Sequence, residues 1–168
     1  MICAEGEFNM GTGLSKLKLF KTILLHKWFV LLIGRKMGVN WWRLIKHDWT
    51  KFLPCEFSAY AHKFYGADDD QAGFDRAWLH HQNSNDHHPE YWIMRTDTGV
   101  KFIPVPDQPL QEMVADWIGA SRAYEGEWPR PETWKWYKKN FPNIILEQDS
   151  CSRVLNLLDG YFKSNYKK

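Results

Sequence analysis

Apolar side chains recur at helical spacing along most of the chain. In the most apolar stretch, steps of four, three, four and three residues place one stripe on a helix running from about residue 14 to residue 37. That stripe consists of Leu19, Ile23, His26, Val30 and Ile33. Further apolar residues widen it, so the pattern predicts a core helix that is buried on most of its sides. The widening residues are Leu17, Leu24, Trp28 and Leu31.

The remaining pattern predicts six shorter helices and one hairpin. The helices are expected near residues 41–50, 54–65, 74–82, 107–124, 132–140 and 151–163. Residues 91–95 and 100–105 flank the turn sequence Thr96-Asp97-Thr98-Gly99, which is typical of a small β-hairpin. We therefore predict an all-α fold: one compact helical domain over 14–168, after a loose amino-terminal extension over 1–13.

Composition narrows the class of protein. The chain has 168 residues, of which 44% are hydrophobic and 25% charged, which are ordinary values for a globular domain. Its 22 basic and 20 acidic residues give a net charge of +2, which argues against duplex nucleic acid or a membrane as partner. Three widely spaced cysteines, Cys3, Cys55 and Cys151, and the lack of a targeting segment favour the cytoplasm.

Aromatic residues are numerous, with ten Trp, ten Phe and seven Tyr. The spacing of the tryptophans predicts that most of them lie in the core. Trp49 is the exception, because its place beside a His-Asp pair would let it stack on a substrate base. The aromatic content also leaves a homodimer open.

Histidines and acidic residues form the candidate chemistry. His26 lies in the middle of the apolar stripe, and Asp116 lies in an apolar helix where a lone carboxylate is costly to bury. Imidazole and carboxylate groups are the usual ligands of divalent metals, so a shared metal site would explain both positions. The other candidates, in chain order, are His47, Asp48, His80, His81, His87 and His88.

Each of these residues also has an ordinary structural explanation. A single buried histidine is more often hydrogen-bonded in a core than bound to a metal. Asp116 could pair with an arginine such as Arg122, and the two adjacent histidine pairs could lie in solvated loops. The ordinary explanations weaken when the residues are taken together, because every candidate falls on or beside a predicted helix.

The order His26, His47-Asp48, Asp116 resembles the HD superfamily of metal-dependent phosphohydrolases, which are all-helical. The resemblance implies that these four residues hold one metal. It further implies that two histidines in the interval between them hold a second metal, one from His80 and His81 and one from His87 and His88, with Asp48 bridging the two. The expected cofactors are thus two divalent ions, from Mn, Fe, Mg or Zn.

The stretch His47-Asp48-Trp49-Thr50-Lys51 also resembles the H-D-x-G-K motif of HD-type phosphodiesterases, with Thr50 in place of glycine. The resemblance makes Lys51 a phosphate-facing lysine. A helix through this stretch would place Lys51 on the same face as Asp48. Adjacent helical residues cannot both point inward, and of His80 and His81 we favour His80 as the ligand. Asn83, Asn85 and Trp49 are candidate substrate contacts, whereas Glu56 is expected to be an exposed helix-start carboxylate.

Over nearly its whole length the chain also resembles a small family of uncharacterised proteins of bacteria and phages. The matching strings are HKWFV at 26–30, HDWTKF at 47–52, FDRAWLHHQ at 74–82, NDHH at 85–88 and MVADWIGA at 113–120. In a phage, the protein would act in the host cytoplasm.

The leading hypothesis for function is hydrolysis of a phosphomonoester or phosphodiester in a nucleotide or other small phosphorylated molecule, by water activated at the metal pair. Myo-inositol oxygenase is similar in its ligand order, so a di-iron oxygenase is the first alternative. A metal-stabilised binding module without catalytic activity is the second.

Overall fold

The computed structural model describes residues 10–66 and 70–166, which form a predominantly helical domain with one two-stranded hairpin. In chain order the α-helices are α1 (Met10–Lys36), α2 (Trp41–Lys46), α3 (Pro54–Tyr65), α4 (Gln71–Ser84), α5 (Asp107–Glu125), α6 (Lys135–Asn140) and α7 (Gln148–Tyr166). Three short 3₁₀ helices lie between them, at Trp49–Phe52, Pro89–Trp92 and Phe141–Asn143. The all-α prediction is therefore confirmed.

The hairpin is the one β element in the described ranges. Strands β1 (Ile93–Thr96) and β2 (Gly99–Phe102) pair in antiparallel register, with Ile93 opposite Phe102 and Thr96 opposite Gly99. Both strands are shorter than the segments predicted from sequence. The hairpin is mostly exposed, so little tertiary packing extends its pairing.

Helix α1 is the central element of the fold. At 1.5 Å per residue its 27 residues span about 40 Å. Its amino-terminal half packs on α3 through a core cluster that includes Leu19, Ile23 and Tyr60, and its carboxyl-terminal half packs on α5 through Val30 and Ile33. All five residues of the predicted stripe, including His26, are buried.

Two expectations about α1 need correction. The helix begins at Met10, four residues before the predicted start, while residues 1–9 of the expected extension lie outside the described residues. The helix is also not buried on most of its sides, because Leu17, Leu24 and Trp28 are exposed. The main packing of α1, against α3 and α5, buries the predicted stripe and leaves these three residues uncovered.

The prediction that tryptophans lie mostly in the core is largely wrong. Trp117 and Trp134 are buried, but most of those in the first half of the chain are exposed. The exposed ones that were predicted to lie in the core are Trp28, Trp41, Trp42 and Trp78. Across residues 10–66 and 70–166, no helix has the length and apolarity needed to cross a membrane.

The crossing of α1 and α5 requires glycine at position 119. A Cβ atom there would lie 2.8 Å from both the backbone nitrogen and Cγ2 of Val30. Gly119→Ala is therefore expected to push the two helices apart and to lower the free energy of unfolding by about 1–3 kcal/mol. The measurement is urea-induced unfolding followed by circular dichroism.

Gly160→Ala is the matched control, because Gly160 is exposed in α7 and an added Cβ meets no atom within 4 Å. Relief of glycine's backbone entropy should raise stability there by about 0.5–1 kcal/mol. Equal effects of the two substitutions would contradict the close approach of α1 and α5.

Candidate metal centre

The His47-Asp48 pair lies at a sharp turn between two helices and not within one. The predicted helix over 41–50 ends at Lys46, and the 3₁₀ helix Trp49–Phe52 follows. Asp48 has φ of 55°, the left-handed conformation, and is the one non-glycine residue with positive φ in the described part of the chain. Aspartate tolerates this conformation better than most residues, and such turns are often found at functional sites. The turn, rather than helical spacing, separates the two side chains.

The first group of candidate ligands surrounds His26. Its Nε2 atom lies 2.9 Å from Asp116 Oδ1, 3.1 Å from Asp48 Oδ2 and 3.2 Å from His47 Nε2. His47 Nε2 is in turn 3.4 Å from Asp116 Oδ1 and 3.5 Å from Asp48 Oδ2. Ligands bound about 2.1 Å from one metal at tetrahedral or octahedral angles are separated by roughly 3.0–3.4 Å. The four side chains thus have the spacing of a mononuclear coordination site.

A second group shares Asp48 with the first. It contains Asp48, His81, His87 and His88, whose ligand atoms lie within 4.8 Å of one another. The other carboxylate oxygen of Asp48, Oδ1, is 3.2 Å from His81 Nε2 and 3.5 Å from His87 Nε2. One oxygen of Asp48 therefore faces each group, which is the arrangement of a bridging carboxylate.

The second group also contains buried polar atoms that have no hydrogen-bond partner among the described residues. Asp48 Oδ1 and the Nε2 atoms of the three histidines are buried, and none makes a hydrogen bond within the described residues. A buried polar atom without a partner costs about 1–3 kcal/mol, so four in one place call for an explanation. A cation bound by these four atoms would provide it.

Carboxylates hold the outer nitrogens of two histidines. His47 Nδ1 lies 2.9 Å from Glu112 Oε1, and His81 Nδ1 lies 2.9 Å from Glu56 Oε2. These bonds orient each ring so that its Nε2 points into the cluster, as outer carboxylates do for metal-bound histidines. Glu112 also accepts a hydrogen bond from Arg43, and Thr50 donates one to Glu56.

Electrostatics at the first group favour a cation. Burial lowers the pKa of His26, but its bonds to Asp116 and Asp48 outweigh this and raise the pKa above its usual value. Burial tends to raise the pKa of Asp48, yet His47 and Lys51 hold it well below the usual range. Burial also tends to raise the pKa of Asp116, but its bonds to His26 and His47 hold it well below the usual range. Both carboxylates thus stay charged in the interior and attract positive charge.

The histidines of the second group are held in the form that binds metals. Burial lowers the pKa of His87, and the neighbouring His47 lowers it further. The pKa of His88 is well below its usual value, because of burial and the nearby His87 and His81. Both rings are therefore neutral at pH 7 and offer a nitrogen lone pair.

The structure corrects several expectations drawn from the sequence. His81, and not the favoured His80, faces the cluster: His81 is fully buried, whereas the His80 side chain is 45% exposed and contacts Glu56 from outside. Both His87 and His88 belong to the second group, where one was expected. Asp116 pairs with His26, and the Arg122 side chain instead stacks on Phe29 and Trp128.

The carboxylate of Glu56 was expected to be exposed but is buried, because it must reach both histidines of α4. Sequence reasoning also missed Glu112. A signal was present, since Glu112 lies four residues before Asp116 and so on the same face of α5, next to the apolar residues Met113 and Val114.

The three candidate substrate contacts lie in different places. Asn85 donates hydrogen bonds to Thr50 Oγ1 and to the backbone oxygen of His81, so it supports the cluster from behind. Asn83 is exposed and bonds to the backbone of Leu79 within its own helix. Trp49 is exposed and contacts Phe52.

Lys51 joins the cluster to an open cavity. Its Nζ lies 2.6 Å from Asp48 Oδ2, in the i to i+3 relation expected from sequence. The cavity has a volume of about 840 Å³, and its wall includes His26, Lys51, His88 and Asp116. Aromatic side chains form much of the remaining wall, among them Phe74, Trp78 and Tyr124. A small molecule in this cavity would therefore touch both ligand groups.

A matched pair of substitutions tests the second group. His81→Asn keeps a donor near the position of Nδ1 but removes Nε2, so metal bound after reconstitution with Mn²⁺ should fall from about two equivalents per chain to about one. His80→Asn, the neighbouring control, should retain both. The measurement is metal content by ICP-MS after desalting; equal content in the two variants would contradict the assignment of His81.

A comparison with protein-family models gives a match. The model of a family of unknown function, DUF5662, matches residues 15–160, which include every residue of both ligand groups. Neither the curated proteins nor the solved structures contain a significant match.

Proposed function

We propose that this chain, which belongs to the family of unknown function DUF5662, is a metal-dependent phosphohydrolase acting on a nucleotide or similar small phosphorylated molecule. One observation carries the proposal: two groups of metal-ligand side chains share the carboxylate of Asp48, and a lysine and an open cavity lie directly beside them. The order of the ligands along the chain resembles that of the HD phosphohydrolases, which supports the proposal.

The donor set suits two divalent cations. His26, His47, Asp48 and Asp116 would hold one, and Asp48, His81, His87 and His88 the other. Nitrogen and oxygen ligands without thiolate favour Mn, Fe, Mg or Zn over soft metals. Paired cations of this kind supply Lewis acidity and lower the pKa of a bound water toward neutrality.

Lys51 would bind the phosphate. Burial lowers its pKa, but the charges of Asp48 and Asp116 outweigh burial and raise it, so the ammonium group stays charged. Its ion pair with Asp48 holds it at the edge of both ligand groups. An ammonium group in that position can neutralise a phosphate oxygen as negative charge develops during hydrolysis.

The cavity suits a small molecule with a flat ring and one phosphate group. Its volume lies within the range of small-molecule sites, about 300–1,000 Å³. Aromatic walls can stack on a ring, whereas Lys51 is the one lysine or arginine among the lining residues that the structure describes.

Replacing Lys51 tests the proposal directly. Lys51→Met keeps the length of the side chain but removes its charge, and should lower kcat/KM for a phosphate ester on the order of 10²-fold to 10³-fold. The assay is anaerobic hydrolysis with Mn²⁺, followed by release of inorganic phosphate from nucleoside monophosphates and by chromatographic detection of the monophosphate formed from cyclic nucleotides. Lys101→Met, at an exposed position of β2, is the matched control and should retain activity.

Metal content is measured on the same samples, so that a loss of activity can be separated from a loss of metal. Full metal loading with no turnover over a broad panel of phosphate esters would contradict the proposal. Oxygen uptake by the iron-loaded protein would favour the di-iron oxygenase instead, and metal loading with neither activity would favour the binding module.

A further inference from the structure

We propose that the outward face of α1, together with α2 and the following 3₁₀ helix, docks on the surface of an anionic lipid bilayer. This inference is independent of the proposed hydrolysis. It concerns six apolar residues that are between 43% and 69% exposed and that we call the outer face. These residues are Leu17, Leu24, Trp28, Trp42, Ile45 and Trp49.

Three residues of the outer face form a stripe along α1. At 100° per residue, Leu17, Leu24 and Trp28 fall within about 40° of one another around the helix. They are directed away from the buried stripe, which contains His26 and Val30. One helix thus contributes His26 to the metal centre on its inner side and presents Leu17, Leu24 and Trp28 on its outer side.

The other three residues adjoin this stripe, because their segments lie against α1. Lys27 donates hydrogen bonds to the backbone oxygens of Ile45 and His47, at the end of α2. Further along, the Phe52 ring lies 6.0 Å from Phe20 of α1 and 5.7 Å from Trp49, measured between ring centroids. The segments that carry Trp42, Ile45 and Trp49 therefore lie beside the helix that carries Leu17, Leu24 and Trp28.

Helices α1 and α2 are strongly basic. Residues 10–47 contain six lysines and two arginines but no aspartate or glutamate. The net charge of the whole chain is only +2, so the remaining residues carry a net negative charge that offsets this excess. The outer face thus combines exposed apolar residues with a local positive field, and its partner should be both apolar and anionic.

A lipid surface fits these features better than the other candidates. A second copy docked through the same face would bring like charges together, which opposes association. Protein interfaces favour arginine over lysine, the reverse of this segment. Nucleic acid offers no apolar surface for Leu17, Leu24 or Ile45. Exposed tryptophan and leucine flanked by lysine are typical of helices that lie in the interface of anionic membranes.

Binding to vesicles tests the inference with the full chain. We expect the protein to co-sediment with vesicles of phosphatidylcholine containing 30 mol% phosphatidylserine, with a blue shift of tryptophan emission. Pure phosphatidylcholine vesicles should bind at least tenfold more weakly, because each lysine near an anionic surface contributes about fivefold. No binding to the anionic vesicles would overturn the proposal.

Two sets of variants locate the surface. Trp42→Ala combined with Trp49→Ala, and separately Lys16→Glu, Lys18→Glu and Lys21→Glu together, should each weaken binding at least tenfold. The matched controls are Tyr91→Ala, an exposed aromatic residue elsewhere, and the triple change Lys135→Glu, Lys138→Glu and Lys139→Glu on α6. Binding that the controls weaken as much as the outer-face variants would also overturn the proposal.

The remaining outcomes identify other occupants, and each would overturn the proposal. Sedimentation velocity showing a dimer that the Trp42→Ala, Trp49→Ala variant dissociates would assign the outer face to a second copy. Vesicle binding seen only after deletion of residues 1–9 would assign it to that segment. Tighter binding to an oligonucleotide than to the anionic vesicles would assign it to nucleic acid.

Discussion

The carboxylate of Asp48 is fully buried, and much of the fold serves to stabilise this charge. An isolated carboxylate in a protein interior is strongly destabilising unless positive groups and hydrogen-bond donors surround it. Lys51 lies 2.6 Å from one of its oxygens, and histidines contributed by α1 and α4 face its two sides. The left-handed turn at residue 48 is what allows one side chain to meet both histidine groups.

Two further buried carboxylates hold the histidines that surround Asp48. Glu112 and Glu56 are buried carboxylates that each bind a histidine of the cluster through its outer nitrogen. Arg43 links Glu112 to Asp86, in the loop that precedes His87. Because each group in this network compensates another, removing one should affect the others, and the cluster should respond to substitution as a unit.

Sequence alone predicted the helical class and the inner stripe of α1, because strong apolar periodicity directly reflects burial. It also singled out the residues that the structure brings together around Asp48. It did not predict that His81 rather than His80 faces inward, because that depends on which side of α4 packs against α3 and Glu56. Nor did it predict the end of α2 at Lys46, because the turn at Asp48 is a backbone conformation that aspartate adopts without a strong sequence signal.

The surface of α1 was mispredicted for a related reason. Helical spacing shows that Leu17, Leu24 and Trp28 are apolar, but only the packing of α3 and α5 on one side of the helix decides that these three stay exposed. The basic character of residues 10–47 was also missed, because the net negative charge of the remaining residues nearly cancels it in the total of +2. Helix α1 therefore contributes His26 to the candidate metal centre on its inner side and presents exposed apolar residues on its outer side.

Anomalous X-ray scattering from crystals of the Mn²⁺-loaded protein would show whether Asp48 lies between two cation sites. We expect two anomalous peaks roughly 3.5–4 Å apart, one beside each carboxylate oxygen of Asp48. The peak beside Oδ2 should lie among His26, His47 and Asp116, and the peak beside Oδ1 among His81, His87 and His88. Crystals of fully loaded protein without a peak at Asp48 would show that this cluster is not the metal centre.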